Sequence, residues 1–259
     1  MEITSHIVTT PPRDASSVVL LRDGAAGLEV FLMRRAQQSD VLGGAYVFPG
    51  GKVDGADAQA AHTPDVLPHH AVWAARLGEP ALSHEAAASL YLAAVREALE
   101  ECGVALAAED LLPWSRWVTP RRASLMNKRF DTRFFLAAMP EAQAARHDNH
   151  ETTHSEWMTP RDALSRYWDH EFAMAPPQIM SLVHLNGHAS VDSVMAQAAH
   201  RLPPVIEPEP FDEDGMRVIC YPGDARHPVP AAVLPGPTRL MFRNRRFEPP
   251  SGSLAELLG

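Results

Sequence analysis

The chain has 259 residues, of which 46% are hydrophobic and 21% are charged. This composition is typical of a folded globular protein with enough apolar residues for a core, and it excludes general disorder. The formal net charge of −9 provides no basic field that would attract bulk nucleic acid or an anionic membrane. A polyanionic substrate would therefore need a cation, held by carboxylates, to neutralise its charge.

The two cysteines and the chain termini predict a compartment. Cys102 and Cys220 lie far apart, so they indicate neither a disulfide framework nor a cysteine metal site. The first 17 residues lack the basic start and apolar segment of a secretory signal, and no apolar run approaches the roughly 18 residues of a membrane span. The last three residues are not the peroxisomal address Ser-Lys-Leu. We expect a cytoplasmic protein with no membrane partner.

The first elements predict a hairpin that leads into a glycine loop. Residues 16–23 and 29–35 are short runs rich in β-branched and aromatic residues, separated by a turn that contains glycine. Residues 45–48 form another short strand, which ends at Pro49-Gly50-Gly51. Glycines permit backbone angles and close approaches that a side chain would block. This loop is therefore a candidate site.

An irregular insertion follows the glycine loop, and a regular helix follows the insertion. Residues 58–88 contain three prolines among short apolar pieces, which predicts an inserted excursion with two short helices. Residues 85–102 contain neither glycine nor proline, are rich in Ala, Leu and Glu, and meet Gly103 at their end. This pattern predicts a helix with a C-terminal glycine stop.

The rest of the chain mixes strands and helices. We predict strands at 117–120, 129–138 and 155–158, helices at 160–168 and 177–199, and a Pro-rich tail over 203–250 with short strands at 216–221 and 238–247. We expect one α/β domain over residues 1–259, with a core at about 16–200, an insertion at about 58–88 and a C-terminal extension at about 201–259.

The predicted helix 85–102 has two chemically different faces. At about 100° per residue, one face carries Tyr91, Leu92, Val95, Ala98, Leu99 and Cys102, and the other carries Glu97, Glu100 and Glu101. The three carboxylates fall within one turn, close enough to bind a hard divalent cation such as Mg²⁺ or Mn²⁺. The alternative is a solvated surface, on which Arg96 and Glu100 form an i,i+4 ion pair.

The context of these glutamates favours the metal site. The segment Arg96-Glu97-Ala98-Leu99-Glu100-Glu101-Cys102-Gly103-Val104 resembles the second half of the Nudix box, R-E-U-x-E-E-x-G-U, at every fixed position. Phe48-Pro49-Gly50-Gly51, followed by Asp57, resembles its first half. The acidic position is Asp57 rather than Glu, and residues 58–95 replace a much shorter stretch before the arginine.

A long insertion at this point resembles one branch of the Nudix family, the peroxisomal coenzyme A diphosphatases and their bacterial relatives. Residues 117–120 and 129–135 are similar to that branch as well. The resemblance covers roughly residues 16–168. It implies a Nudix-type α/β/α sandwich around a mixed β-sheet, with a loop-helix-loop site for Mg²⁺ or Mn²⁺.

The resemblance also implies roles for individual residues. The expected metal ligands are Glu97, Glu100, Glu101 and the carbonyl of Gly50. Arg96 would orient the glutamates, and Gly51 would let the loop pass close to the helix. As general base we take Glu101 first, with Glu151 and Glu156 as further candidates. The Nudix-box loop positions are Gly51, Asp57 and Gly103.

The implied reaction is hydrolysis of a P–O–P link in a nucleoside diphosphate derivative. The leading substrate is coenzyme A or an acyl-coenzyme A, and the alternatives are ADP-ribose, NADH and a nucleotide sugar. A non-catalytic Nudix-fold nucleotide-binding module is the competing hypothesis, but a pure binder has no need of three mutually repelling glutamates. A homodimer is expected only from the general frequency of dimers.

Two other patterns are weighed against this interpretation. His150-Glu151-Thr152-Thr153-His154 matches the zinc-protease pattern H-E-x-x-H, but Thr152 and Thr153 are poor helix formers and that motif requires a helix. We interpret it as a chance match. A base-stacking residue is sought among Trp114, Trp117, Phe130, Phe134 and Phe135, although aromatic residues in strands are more often part of the core.

Overall fold

The computed structural model describes residues 7–39, 43–122, 128–148 and 150–259. These residues form an eight-stranded mixed sheet with the order β3-β2-β1-β6-β5-β8, in which β4 pairs with β1 and β7 with β2. Its strands are β1 (Arg13–Gly24), β2 (Gly27–Arg35), β3 (Tyr46–Val47), β4 (Gly50–Lys52), β5 (Leu112–Val118), β6 (Phe130–Ala138), β7 (Thr152–Met158) and β8 (Val205–Ile206). β1 runs parallel to β6. The predicted hairpin is confirmed as β1 and β2.

Helices cover both faces of this sheet. They are α1 (Gly55–Ala60), α2 (His70–Leu77), α3 (His84–Cys102), α4 (Pro160–Trp168), α5 (Pro176–Leu185), α6 (Val191–Ala199) and α7 (Leu254–Leu258). Successive β1 side chains point to opposite faces, so Val18 and Leu20 pack with α2 and α3, while Val19 and Leu21 pack with α4, α5 and α6. The predicted α/β/α sandwich around a mixed sheet is confirmed. No helix in the described part of the chain is long and apolar enough to span a bilayer.

Local sequence explains the long helix α3. The hydroxyl of Ser83 caps its N-terminus by accepting a hydrogen bond from the Ala86 amide at 3.2 Å. Gly103 ends it with φ 69°, a left-handed conformation that favours glycine. One detail of the predicted faces is wrong, because Leu99 is 53% exposed whereas Glu101 is 5% exposed. The last turn of α3 packs Glu101 against the Gly50 loop, so the apolar face stops short of the helix end.

The region after β7 differs most from the predicted elements. The helix predicted at 177–199 is broken between α5 and α6, where Gly187 lies and the Ser190 hydroxyl caps the new helix. The strand predicted at 238–247 is a hairpin, because Asn244 and Arg245 adopt φ values of 50° and 62° in its turn. The strand predicted at 117–120 is the end of β5, which stops at Val118.

The C-terminal extension contains more β-structure than the sequence predicts. It contributes β8 to the main sheet and forms a four-stranded antiparallel sheet of β9 (Glu209–Glu213), β10 (Met216–Cys220), β11 (Arg239–Arg243) and β12 (Arg246–Glu248). Prolines on both sides of β8 and within β9 interrupt the residue pattern by which a strand is recognised in a sequence. Ile219, Leu240 and Phe247 belong to the same buried cluster as α4 and α5. The extension is thus part of the main core.

A buried ion-pair network ties the insertion to the main sheet. Glu79, at the end of the insertion, contacts the Arg133 guanidinium on β6 at 2.6 Å and that of Arg116 on β5 at 2.8 Å. Asp14 and Asp131 complete the network. Arg133 is 3% exposed, so its charge depends on these partners for compensation.

We expect Glu79→Ala to lower the free energy of unfolding by about 3 kcal/mol, because it leaves two arginines short of a buried counter-charge. Urea unfolding measures the effect. Glu109→Ala is the control, since Glu109 is exposed. Equal midpoints for the two variants would contradict a stabilising role for Glu79.

Candidate active site

A cavity of about 750 Å³ opens where the glycine loop, α3 and the start of α5 meet the sheet. Most of the predicted site residues line it, namely Gly50, Gly51, Arg96, Glu97, Glu100 and Glu151. Asp57 and Glu101 adjoin this group through hydrogen bonds to Arg96 and Gly50. Gly103 lies at the end of the helix. Glu156 does not line the cavity.

One row of the sheet forms part of the cavity wall. Lys52 on β4 pairs with Ala15 on β1, Ala15 with Thr132 on β6, and Thr132 with Trp117 on β5. All four residues line the cavity. Three steps between neighbouring strands separate the backbone of Lys52 from that of Trp117 by about 14 Å. The cavity is therefore elongated across the sheet, with the glutamates near β4 and Trp117 on β5.

Arg96 holds the acidic side chains in place. Its Nε and Nη2 donate hydrogen bonds at 2.9 Å to the two carboxylate oxygens of Asp57, which is 3% exposed. Its Nη1 donates to Glu97 at 2.8 Å and to Glu100 at 2.9 Å. The bonds to Asp57 contribute most to a raised pKa of Arg96. The guanidinium is thus committed to protein carboxylates and orients them.

Asp57 is itself fixed by the residues that directly precede the insertion. The Asp54 carboxylate accepts hydrogen bonds from the amides of Ala56 and Asp57, and the Asp57 carboxylate accepts one from the Asp54 amide at 2.9 Å. This reciprocal pair is a capping box for α1. The helix cap therefore aims Asp57 at Arg96.

The glycine loop approaches the glutamates closely. A Cβ atom on Gly51 would lie 2.3 Å from Oε1 of Glu97, and one on Gly50 would lie 2.4 Å from the Ser16 carbonyl oxygen. The Gly50 amide donates a hydrogen bond to Glu101 at 2.8 Å. Burial raises the pKa of Glu101 to about 7, and this hydrogen bond opposes the shift. Burial also raises the pKa of Glu97, against the influence of Arg96.

The oxygen donors of these glutamates are of the type that a hard divalent cation prefers. One carboxylate oxygen of Glu97 and one of Glu100 accept hydrogen bonds from Arg96. One oxygen of Glu101 accepts a hydrogen bond from the Gly50 amide. Within the described residues, the second oxygen of each makes no hydrogen bond. Mg²⁺ and Mn²⁺ prefer such oxygens and complete their shells with water and substrate phosphates. Among residues 7–39, 43–122, 128–148 and 150–259, no group of three or more His, Cys, Asp or Glu side chains is arranged so that it could hold a metal ion.

The other candidate bases differ in their surroundings. Glu151 lines the cavity and lies 3.7 Å from the Arg35 guanidinium. Glu156, on β7, is paired with Arg166 at 2.9 Å. The segment 152–158 is a strand, so His150 and His154 do not share a helical face. This geometry agrees with our interpretation of H-E-x-x-H as a chance match.

No local sequence motif predicts several of the residues that line the cavity. Arg35, at the end of β2, lines the wall, and its buried Nε has no partner among the described residues. Gln178 on α5 and Ile219 on β10 also line it. Of the aromatic candidates, Trp117, Phe130 and Phe134 reach the cavity, whereas Trp114 and Phe135 are buried in the core. These residues come from distant parts of the chain, so no local motif marks them.

Comparisons with known proteins agree with this geometry. Residues 108–185 match the family model described as the NUDT19 Nudix domain. The acyl-coenzyme A diphosphatase NUDT19 of Xenopus laevis is 33% identical over 126 residues, which cover 46% of this chain and 32% of that protein. Its human counterpart is 26% identical, covering 77% of this chain and 72% of that protein. Putative nudix hydrolase 7 of Caenorhabditis elegans is 24% identical, covering 92% and 82%.

A solved structure supports the same assignment. The NUDIX hydrolase from Alicyclobacillus acidocaldarius is 26% identical and superposes with a TM-score of 0.57, covering 75% of this chain and 98% of that one. The fold is therefore that of the Nudix proteins. In sequence and fold the chain is similar to the Nudix hydrolases, and among them to the NUDT19-like branch.

We expect Gly51→Ala to displace the Glu97 carboxylate, because a flexible side-chain end moves more readily than the backbone. Mn²⁺ affinity and kcat/KM should both fall by about 10-fold or more, as for lost positioning contacts at other metal sites. Isothermal titration with Mn²⁺ and steady-state kinetics measure the two effects. Gly55→Ala is the matched control, since no atom lies within 4 Å of its added Cβ. Unchanged Mn²⁺ affinity in Gly51→Ala would refute the close-approach argument.

Proposed function

We propose that the protein hydrolyses a phosphoanhydride bond in a nucleoside diphosphate derivative, with Mg²⁺ or Mn²⁺ as cofactor. The observation that carries this proposal is the set of glutamates aligned by Arg96 in the wall of a cavity of about 750 Å³. A cavity of this size accommodates a small-molecule substrate. The same wall also carries basic and aromatic side chains, which suit phosphates and a base.

Glu97, Glu100 and Glu101, with the Gly50 carbonyl, would hold the cation. When bound, the cation would neutralise phosphate charge and make water a stronger nucleophile. The burial of Glu101 and the partial burial of Glu97 support this assignment, because an adjacent cation compensates carboxylate charges that otherwise repel each other. Arg96 acts by positioning Glu97 and Glu100.

Other side chains of the cavity wall bind the phosphates and accept the proton of the attacking water. Arg13, Arg35 and Lys52 face a chain of phosphates with positive charge. A water oxygen attacks one phosphorus, the bridging P–O bond breaks, and the water proton passes to a carboxylate base. The products are two phosphorylated fragments. Glu151 is the base candidate that lines the cavity, whereas Glu101 is hydrogen-bonded to the loop.

Coenzyme A or an acyl-coenzyme A is the leading substrate, because the named NUDT19 relatives are acyl-coenzyme A diphosphatases. ADP-ribose, NADH and nucleotide sugars are the alternatives within the same reaction class. The cytoplasmic location, the single-domain organisation and the homodimer stay predictions.

A substrate panel tests the proposal. We expect one of coenzyme A, acetyl-coenzyme A, ADP-ribose, NADH and UDP-glucose to release phosphorylated products with Mg²⁺ or Mn²⁺ and none to do so with EDTA. Glu97→Gln and Glu100→Gln should each lower kcat by at least about 100-fold, because each removes a charged oxygen donor. Undiminished turnover in both variants would contradict the metal assignment. Nucleotide binding without turnover of any compound would favour the non-catalytic binding module.

A three-way comparison identifies the general base. We expect Glu151→Gln to lower kcat by about 10²- to 10⁴-fold while Mn²⁺ affinity stays within twofold, because a base accepts a proton without holding the cation. Glu101→Gln should weaken Mn²⁺ binding as well. If kcat falls only in Glu101→Gln, or only in Glu156→Gln, that residue and not Glu151 is the general base.

A further inference from the structure

Two buried polar atoms in the cavity wall lack partners. They are the indole Nε1 of Trp117 and the amide Oε1 of Gln178, neither of which has a hydrogen bond within the described chain. Trp117 is 4% exposed and Gln178 is 8% exposed, and both line the cavity. An unsatisfied buried donor or acceptor costs free energy, so such atoms in a cavity wall indicate a ligand that satisfies them.

Apolar side chains line the cavity together with these two residues. Phe48, Phe134 and Ile219 belong to the same hydrophobic cluster as Trp117, and all of them line the cavity. Pro176 and Pro177 occupy the first two positions of α5 and carry no amide hydrogen, so this helix N-terminus lacks donors that would attract an anion. The region therefore suits an uncharged planar group with one acceptor and one donor.

We propose that this end of the cavity binds the adenine base of the substrate. The Trp117 Nε1–H donates a hydrogen bond to an adenine ring nitrogen, and the Gln178 Oε1 accepts one from the exocyclic amino group. The base packs among the aromatic side chains. This inference rests on the proposed function and assigns the orientation of its substrate.

The width of the sheet supports that orientation. The backbone of Trp117 lies about 14 Å from that of Lys52, which follows directly after the glycine loop. A ribose and a phosphate bridge a span of this order. With adenine near Trp117, the diphosphate reaches the glutamates, and the other half of the substrate extends towards the cavity opening.

Binding of small compounds that represent the two halves of the substrate tests the proposal without catalysis. Isothermal titration compares AMP, purine riboside 5′-monophosphate, which lacks the amino group, and 4′-phosphopantetheine. We expect the wild-type protein to bind AMP about three- to tenfold more tightly than purine riboside monophosphate, as expected for one hydrogen bond. Gln178→Leu should abolish this preference and leave 4′-phosphopantetheine binding unchanged. Trp117→Phe should weaken both nucleotides.

Ser181→Ala is the matched control, because Ser181 lies on the same helix and is buried but does not line the cavity. It should leave the AMP preference intact, and thermal melting verifies that each variant is folded. Equal weakening of both nucleotides by Gln178→Leu, or weaker binding of 4′-phosphopantetheine instead, would overturn the proposal. Selective AMP binding without hydrolysis of any panel compound would reject the proposed function and retain the adenine site.

Discussion

The bidentate contact between Arg96 and Asp57 is the constraint on which the site depends. It joins two parts of the Nudix box that the insertion separates in sequence, and it leaves the remaining guanidinium nitrogen to fix Glu97 and Glu100. The aspartate is buried, so the pair is shielded from solvent screening. The insertion leaves this contact intact, because Asp57 lies directly before it and Glu79, near its end, anchors it on the sheet.

Burial of the carboxylate cluster affects both the charge of its glutamates and the stability of the fold. Glu97 and Glu101 are buried beside each other, and burial alone disfavours their charged forms. Glycine at positions 50 and 51 is required for a steric reason, since any side chain there would occupy the space of the carboxylate or of the neighbouring strand. A bound cation would stabilise the folded chain by linkage. Cation affinity and folding would then be coupled.

The sequence predicts the features that depend on local spacing. The first hairpin, the glycine loop and helix α3 are recognisable because periodicity and glycine position determine them within a few residues. The exposure of Leu99 was wrongly predicted, because contacts with a distant loop decide which face of the last turn is buried. Arg35 and Gln178 were missed for a similar reason, since each becomes a cavity residue only when separate elements meet.

The C-terminal extension has a consequence for how selectivity arises in this protein. Pro208 and Ile219 line the same cavity as the glutamates of α3, although they lie more than 100 positions later. During synthesis the ribosome completes helix α3 long before it completes the part of the cavity wall that contains Pro208 and Ile219. A substitution at either position would alter the shape of the cavity without replacing any member of the Arg96 network.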